Sequence, residues 1–426
     1  MAAWSTTTYC LKLHCKRRDW ILKTQALYND VLSFYSRLLL NDVSLLELDN
    51  MKLLRKLEQM TIAGRDKKQP EVELPFPKLP LYFRRAAINA AIGMIRSYTG
   101  RLRGWEKARE DARKKGLIWN RKPPAAPSHF HASTVLYKGM YKQFGQGRIL
   151  IKLWTGGSWS WVGHAYSGRS IPPNARTLSP SIVARGKLIF LHVPVSCPVE
   201  DIRSVRERNA AGEPFCGVSF SASDVMAACV VFSGDGRANA SYFVRGGKAF
   251  AHRRKRLLNM VKKRRGQTGG KLVAGENARL WRKYRNLRMA YAHLVSRRIL
   301  DFCIRHKVKT IVIAQYSYDE QKKRYYGRGI AAFPGKQVSA YLKYKAWRAG
   351  IIVTSVAPEF TASKCSACGA PVKRYNEHHQ ASANYFGGRL FICPNGHRGN
   401  ASYNAAVNIG KAFIRKFTNI QEEKAG

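Results

Sequence analysis

Four residues near the C-terminus constrain the fold of this chain more than any other feature. Cys365 and Cys368 form a C-x-x-C pair, and Cys393 and His397 follow as C-x-x-x-H. Zn²⁺ is usually held by four Cys or His ligands in a tetrahedron, with two ligands supplied by each of two tight turns. The spacing therefore predicts a zinc ribbon over residues 361–400. Because all four positions are filled, the Zn²⁺ is expected to be structural.

The identity of the fourth ligand is open on sequence alone. In the second pair, Gly396 stands where a C-x-x-C knuckle would have its second cysteine, and His397 follows it. His378 and His379 lie in the polar insert between the two pairs and could supply the fourth ligand instead. The insert itself is expected to be an exposed loop.

The charge of the chain points to a polyanionic partner. Lys and Arg number 75 against 26 Asp plus Glu, which gives a formal net charge of +49 over 426 residues. So much like charge repels itself unless a polyanion neutralises it. The basic residues are spread along the chain, no run of about 18 apolar residues is present, and the first residues show no secretory pattern. These features favour nucleic acid over a membrane, and a reducing cytoplasm for the six other cysteines.

The first half of the sequence predicts a barrel that is interrupted by helices. Residues 6–16 alternate between polar and apolar, which indicates a strand. Helical spacing follows within 20–127, and several short strands separated by Gly, Ser and Pro turns follow within 128–199. We therefore expect residues 1–19 and 128–199 to form one small barrel, with a helical domain inserted at 20–127.

The second half predicts a mixed sheet. After a linker at 200–214, residues 215–360 read as hairpin strands, a helix, a buried strand, a helix and another buried strand. This is the element order of a ribonuclease-H-like domain, and residues 401–426 are expected to complete it after the ribbon. The whole chain is thus expected to be an α+β multidomain protein, with about two to four domains for its length.

Clusters of basic residues mark the predicted nucleic-acid contacts. Two lie on helices of the second half, and a third lies on the long helix of the inserted domain, where aromatic residues accompany the charge. The predicted contact residues are Arg253, Arg254, Lys255, Arg256, Lys262, Lys263, Arg264, Arg265, Arg279, Arg282, Lys283, Arg285, Arg288, Arg96, Arg101 and Arg103.

Three segments of the second half resemble one family. They are the stretch from Val356 through Cys368 to Gly369, the run Ala401–Ile409 (ASYNAAVNI), and LKYKAWRAGIIV at 342–353. All are similar to segments of TnpB proteins, which are transposon-encoded RNA-guided nucleases, and of the miniature type V CRISPR effectors. The resemblance implies a wedge barrel with an inserted recognition domain, then a RuvC-like domain with an inserted target-binding zinc ribbon.

The resemblance also implies a catalytic site whose acids are missing. The family cuts DNA with three carboxylates that hold two Mg²⁺ ions. At the three matching positions this chain has Ser219, Ala314 and Ser402. Hydroxyl and methyl groups cannot hold Mg²⁺ as carboxylates do, so no catalytic Mg²⁺ is expected.

The resemblance and the replaced acids together predict RNA-guided, sequence-specific binding of double-stranded DNA without cleavage. The expected partners are a guide RNA and a target duplex with a short flanking motif. Such a protein would silence or regulate transcription, or recruit a protein or a second copy of itself, in the cytoplasm of a prokaryote and associated with the nucleoid. Two different functions remain open: an active endonuclease with relocated acids, for which Asp224, Asp319 and Glu320 are the nearest, and a guide-independent transposon accessory protein.

Overall fold

The alternating N-terminal segment forms β1 (Trp4–His14) in the centre of a sheet. The computed structural model describes residues 3–62, 69–76, 78–221, 223–267, 269, 275–315, 335–382, 384–385 and 388–425. The chain divides into two compact units, one of Thr6–Cys197 and one of Met1–Ser5 with Pro198–Gly426. None of the helices in the described part of the chain is long and apolar enough to cross a bilayer.

The sheet of the first unit has eight strands in the order β2-β7-β8-β1-β5-β4-β3, with β6 paired to β8. The predicted participation of the N-terminal strand is confirmed, since β1 lies between β8 and β5. Among the described residues β2 and β3 are not paired with each other, so the sheet has two edges and closure into a barrel stays a prediction. The other strands are β2 (Thr134–Val135), β3 (Tyr141–Gly145), β4 (Arg148–Trp154), β5 (Trp159–Ser167), β6 (Arg176–Thr177), β7 (Ser181–Arg185) and β8 (Leu188–Pro198).

Three helices pack on this sheet and share its core. They are α1 (Arg18–Asn41), α2 (Asn50–Thr61) and α3 (Leu81–Lys114). Helix and strand side chains belong to one hydrophobic cluster, for example Tyr28 of α1 and Leu191 of β8. The helical region and the strands on either side of it therefore form one packed body, although they were expected to be two domains.

The segment at 200–214 was expected to be a linker, but it is folded into the second unit. It contains α4 (Val205–Ala210), which begins with a reciprocal capping box between Ser204 and Glu207. Arg208 is only 1% exposed. Its guanidinium donates to the carbonyl oxygens of Gly350, at 2.9 Å, and of Lys309. A buried cation that spans several backbone carbonyls holds this segment against the second sheet.

The sheet of the second unit matches the predicted element order. It contains β9 (Phe215–Phe220), β10 (Val225–Phe232), β11 (Ala238–Arg245), β12 (Thr310–Ala314) and β13 (Ile352–Val356), in the order β11-β10-β9-β12-β13. The first three strands are antiparallel, whereas β9, β12 and β13 run parallel. The helices of this unit are α5 (Gly247–Gln267), α6 (Ala278–Arg305), α7 (Gly335–Arg348) and α8 (Ala401–Ala425).

Two glycines allow α8 to lie directly on the sheet. A Cβ on Gly217 of β9 would come within 2.5 Å of the carbonyl oxygen of Ala406, and a Cβ on Gly410 would overlap the ring of Phe232. Helix backbone and strand backbone can approach this closely only where no side chain intervenes. The close approach brings the N-terminal end of α8 beside the ends of β9 and β12.

Apolar residues recur along α6, but only some of them are buried. Leu280 is buried, whereas Leu294 is 40% exposed. The side chains that enter the core come instead from Ala292, Val295, Ile299 and Cys303. The first half of α6 is highly charged and contributes little to the core. The continuous buried face of the helix therefore begins only near Ala292.

The ribbon region forms a small sheet of its own in the order β15-β14-β16-β17. Its strands are β14 (Lys373–Asn376), β15 (His379–Ser382), β16 (Leu390–Ile392) and β17 (Arg398–Asn400). The expectation of a loop in the polar insert is corrected here, because β14 and β15 form a hairpin. The exposure predicted for this segment is found throughout β15.

Candidate functional site

The predicted zinc ligands lie together at the ends of two turns. The ligand atoms of Cys365, Cys368, Cys393 and His397 are all within 4.8 Å of one another. The Sγ atoms of Cys368 and Cys393 are 3.7 Å apart, and Nδ1 of His397 is 3.4 Å from Sγ of Cys393. A tetrahedron with Zn–S bonds of about 2.3 Å has edges of about 3.8 Å. These residues therefore fit a structural Zn²⁺.

Backbone conformation explains the unusual second pair. Gly369 and Gly396 both adopt positive φ, +76° and +79°, which side-chain-bearing residues seldom do. The N–H of Gly396 donates to Cys393 O at 3.0 Å, and the N–H of Cys393 donates to His397 O at 3.1 Å. Glycine is suited to this backbone conformation, and the predicted ligand His397 is the next residue. His378 and His379, which could have supplied the fourth ligand, lie at the β14–β15 hairpin and outside the cluster.

The first knuckle favours a thiolate. The backbone N–H of Ala370 lowers the pKa of the exposed Cys368 thiol to about 7. Zn²⁺ binds the deprotonated form of cysteine. Cys368 is thus prepared to bind the metal near neutral pH.

Two asparagines that the sequence did not single out attach the ribbon to α8. Nδ2 of the buried Asn404 donates to Lys364 O at 2.8 Å, and its Oδ1 accepts from the N–H of Ser366 at 2.7 Å. Nδ2 of Asn408 donates to Thr361 O at 3.1 Å. A buried asparagine inside a helix is unfavourable unless its amide is paired. Two asparagines in this helix were therefore the signal in the sequence that could have indicated these contacts.

Replacing Asn404 with alanine should loosen the first knuckle. The change removes the partner of the Ser366 N–H and one of the two amide donors to the Lys364 carbonyl, which Asn408 still contacts at 2.7 Å. The N–H left unpaired costs about 1–3 kcal/mol. We expect earlier thermal unfolding and faster zinc release to a chelator. Asn286 is exposed on α6, so Asn286→Ala is the matched control. Equal zinc release from the two variants would contradict this role of Asn404.

Ser219, Ala314 and Ser402, the positions that the resemblance matches to the family's acids, line one cavity. Ser219 lies in β9, Ala314 ends β12, and Ser402 lies in the first turn of α8. Strands β9 and β12 are parallel, and Val218 is paired with Ile313. The residues that follow this pair, Ser219 and Ala314, therefore lie at the same edge of the sheet. The cavity has a volume of about 90 Å³. Convergence of three segments far apart in sequence is what the resemblance predicted for these positions.

No carboxylate is among the described residues that line this cavity. The nearby Asp224 instead accepts the N–H of Lys248 at 3.2 Å at the start of α5. Glu377 pairs with Arg389 at 3.3 Å on the surface of the ribbon. Asp319 and Glu320, the two remaining candidates for a relocated acid, lie outside the described residues.

Arg374 is a cavity residue that sequence reasoning missed. It belongs to β14 of the ribbon and lines the cavity together with Ser219, Ala314 and Ser402. Its Nη2 donates to Ala362 O at 3.2 Å, and its Nη1 lies 3.5 Å from Gly388 O. The ribbon therefore supplies a positively charged side chain to the place where the family would have acids.

Most of the predicted nucleic-acid contacts are solvent-exposed on helices. The set on α5 is exposed except for the half-buried Arg254, and the set on α6 is exposed except for Arg288, which lies 5.9 Å from the Tyr284 ring. On α3, Arg101 and Arg103 are exposed. Arg96 is the correction: it is half-buried, and its Nη2 donates to Leu48 O at 2.6 Å and Leu46 O at 3.2 Å. Arg96 thus ties α3 to the preceding segment.

Two family models match the chain. Residues 336–409 match the Cas12f1-like TNB domain, and residues 5–155 match the Aq_aa04 family. The first match covers α7, β13, the ribbon and the start of α8, the segments that carry the resemblance. The second covers most of the first unit.

Two known proteins align with part of the chain. The TnpB-like protein aq_aa05 of Aquifex aeolicus (strain VF5) is 25% identical over 175 residues, 39% of this chain and 55% of that protein. The CRISPR-associated endodeoxyribonuclease Cas12f1 of Sulfoacidibacillus thermotolerans is 29% identical over 204 residues, 45% of each protein. Both relatives are of the kinds that the sequence resembles, TnpB proteins and miniature type V CRISPR effectors. The alignments span about half the length of these two relatives.

Solved structures of two RNA-guided proteins align with nearly the whole chain. The Cas12f1–sgRNA–target DNA complex gives a TM-score of 0.49 at 14% identity, covering 96% of this chain and 99% of that one. The mini-RNA-guided endonuclease CRISPR-Cas_phi3 gives 0.49 at 10% identity, covering 97% and 92%.

Proposed function

We propose that this chain is an RNA-guided protein that binds double-stranded DNA at a sequence matched by its guide and does not cut it. One observation carries the proposal. The positions that match the family's catalytic acids, Ser219, Ala314 and Ser402, line a single cavity whose described lining contains no carboxylate. The three positions are brought together, and none of them carries a carboxylate that could bind a metal ion.

Cleavage by two metal ions depends on those groups. Mg²⁺ is bound through carboxylates and substrate phosphates, and the pair of ions is held close enough to stabilise both the attacking and the leaving oxygen. Two neutral hydroxyls and a methyl group provide no negative charge to bind either ion. Arg374 adds a positive charge that repels them.

The proposed architecture follows the family. Residues 1–19 and 128–199 would form the wedge barrel, with the recognition domain at 20–127, and the RuvC-like domain would comprise 215–360 and 401–426. The ribbon at 361–400 would hold a structural Zn²⁺ through Cys365, Cys368, Cys393 and His397 and would contact the target nucleic acid. Zn²⁺ bound there would crosslink the two knuckles and so fix β14 beside the cavity.

The partners proposed for the chain are polyanions. The exposed basic residues of α5 and α6 would neutralise the backbone of a guide RNA or of the guide–target heteroduplex. The relative named as a CRISPR-associated endodeoxyribonuclease and the match to the Cas12f1-like TNB domain support this assignment. Stable occupation of a gene would silence or regulate its transcription, or recruit a partner protein or a second copy to that site. The place of action proposed is the nucleoid of a prokaryotic cell.

The deciding experiment starts from RNA that co-purifies with the chain. We expect one discrete, abundant RNA, and we expect the purified complex to bind a duplex matched to it far more tightly than a scrambled duplex. Incubation with matched duplex and Mg²⁺ should leave both strands intact. The absence of a discrete RNA would favour a guide-independent accessory protein, and specific cleavage would favour an active nuclease with relocated acids.

A further inference from the structure

The cavity at the ends of β9 and β12 has the wrong charge for a cation. Arg374 is the only charged side chain among the described residues that line it. The other polar groups there are hydroxyls, including those of Ser219 and Ser402. A pocket with one guanidinium and several hydroxyls has donors to offer and little negative charge, which suits an anion with several acceptor oxygens.

The guanidinium is held in place by the ribbon. Contacts to the carbonyl oxygens of Ala362 and Gly388 orient the side chain from two directions. Arg374 also sits in the centre of the ribbon sheet, where its backbone pairs with Phe391 and Ser382. Its cation is thus positioned before any ligand arrives, which lowers the entropic cost of binding one.

The hydroxyls of Ser219 and Ser402 form no hydrogen bond with the part of the chain that the structure describes. Both residues are half-buried and both line the cavity. The volume of about 90 Å³ exceeds what one water needs and holds about three at liquid density. Two hydroxyl donors and a fixed guanidinium around such a space match the oxygens of one phosphodiester group.

We propose that this cavity binds a phosphodiester group of the target DNA directly, without a divalent metal ion, through Arg374, Ser219 and Ser402. The inference rests on the proposed function, because it takes target DNA as the ligand. A long guide RNA suits the extended basic faces of α5 and α6, whereas a site with a single cation fits one phosphate of a strand that passes over it. The former catalytic site would thus add affinity instead of chemistry.

The test measures DNA affinity of the guide-loaded complex in EDTA, across a series of salt concentrations. Arg374→Gln should weaken binding to the matched duplex about 3- to 10-fold and reduce the slope of log K against log salt by about 1. Lys373→Gln is the matched control, since Lys373 is the exposed neighbour on the same strand. Arg374→Lys should retain most of the affinity because it retains the charge.

A second variant does not disturb the contacts of Arg374. Ser402→Asp places a negative charge in the cavity, so it should weaken binding in EDTA by at least as much as Arg374→Gln. Zinc content and thermal unfolding of each variant report on folding, and the affinity of each for the guide RNA should be unchanged.

Three results would overturn the inference. The first is equal affinity of the Arg374→Gln and Lys373→Gln variants for the matched duplex. The second is a wild-type affinity for this duplex that requires Mg²⁺. The third is a loss of affinity that affects only the guide RNA. Failure of the proposed function looks different, because wild-type complex would then not prefer the matched duplex at all.

Discussion

Replacing Cys393 with serine should remove the metal from the ribbon and unfold this part of the chain. Cys393 is buried and belongs to a small cluster of only four buried residues, with Cys365, Phe391 and Ala401. So small an apolar core cannot pay for the ordering of the ribbon. Structural Zn²⁺ contributes on the order of 10–16 kcal/mol of apparent binding free energy in zinc-finger peptides, so loss of one ligand should be decisive.

The measurement is zinc content per chain together with limited proteolysis. Wild type should carry one equivalent of zinc, and the Cys393→Ser variant should carry close to none and be cut within the ribbon. The first unit should resist protease equally in both. Cys10→Ser is the matched control, since Cys10 is exposed in the other unit. One equivalent of zinc in the Cys393→Ser variant would exclude Cys393 as a ligand.

The same variant connects the metal to the cavity. Arg374 reaches the cavity only because β14 pairs with β16, the strand that ends next to Cys393. Asn404 and Asn408 then attach the knuckle to the helix that carries Ser402. Losing the metal should therefore also reduce DNA affinity, by at least the amount lost in Arg374→Gln.

The parts of the site that could be predicted from sequence are those specified locally or by a motif. Zinc ligands occur in close pairs on short turns, so their spacing identified Cys365, Cys368, Cys393 and His397. The positions of Ser219, Ala314 and Ser402 came from three motifs, and parallel strands that end at one edge bring such motifs together. The mixed sheet itself followed from runs of buried strand residues alternating with helical spacing.

The parts that could not be predicted depend on tertiary register. Arg374 lies in a polar insert that read as a loop, and only the hairpin register of β14 directs it to the cavity. Arg208 looked like one more charge in a hydrophilic linker, yet it is among the largest fully buried side chains. Arg96 looked like the other arginines of its helix, but the carbonyls it binds come from residues about fifty positions earlier. None of these partners is adjacent in sequence, so composition and periodicity contain no signal for them.

Placing acids at these three positions should convert the proposed DNA-binding protein into a nuclease. The triple variant Ser219→Asp, Ala314→Glu and Ser402→Asp places three carboxylates around one cavity, which is what binding of two Mg²⁺ ions requires. We expect Mg²⁺-dependent cleavage of matched duplex on the order of 10³-fold or more above wild type. This would be a small part of the roughly 10⁶-fold or larger accelerations that enzymes reach.

The matched control has the same shapes without the charge: Ser219→Asn, Ala314→Gln and Ser402→Asn. It should bind the duplex and leave it intact, as should each single-acid variant, because one carboxylate does not hold two ions. In EDTA the three acids should weaken DNA binding through repulsion of phosphate, and Mg²⁺ should reverse the loss. If the triple-acid variant folds, carries zinc and binds the matched duplex in Mg²⁺ but cuts nothing, these three positions are not the counterparts of the family's catalytic acids. DNA binding without cleavage would then be supported by the binding measurements alone.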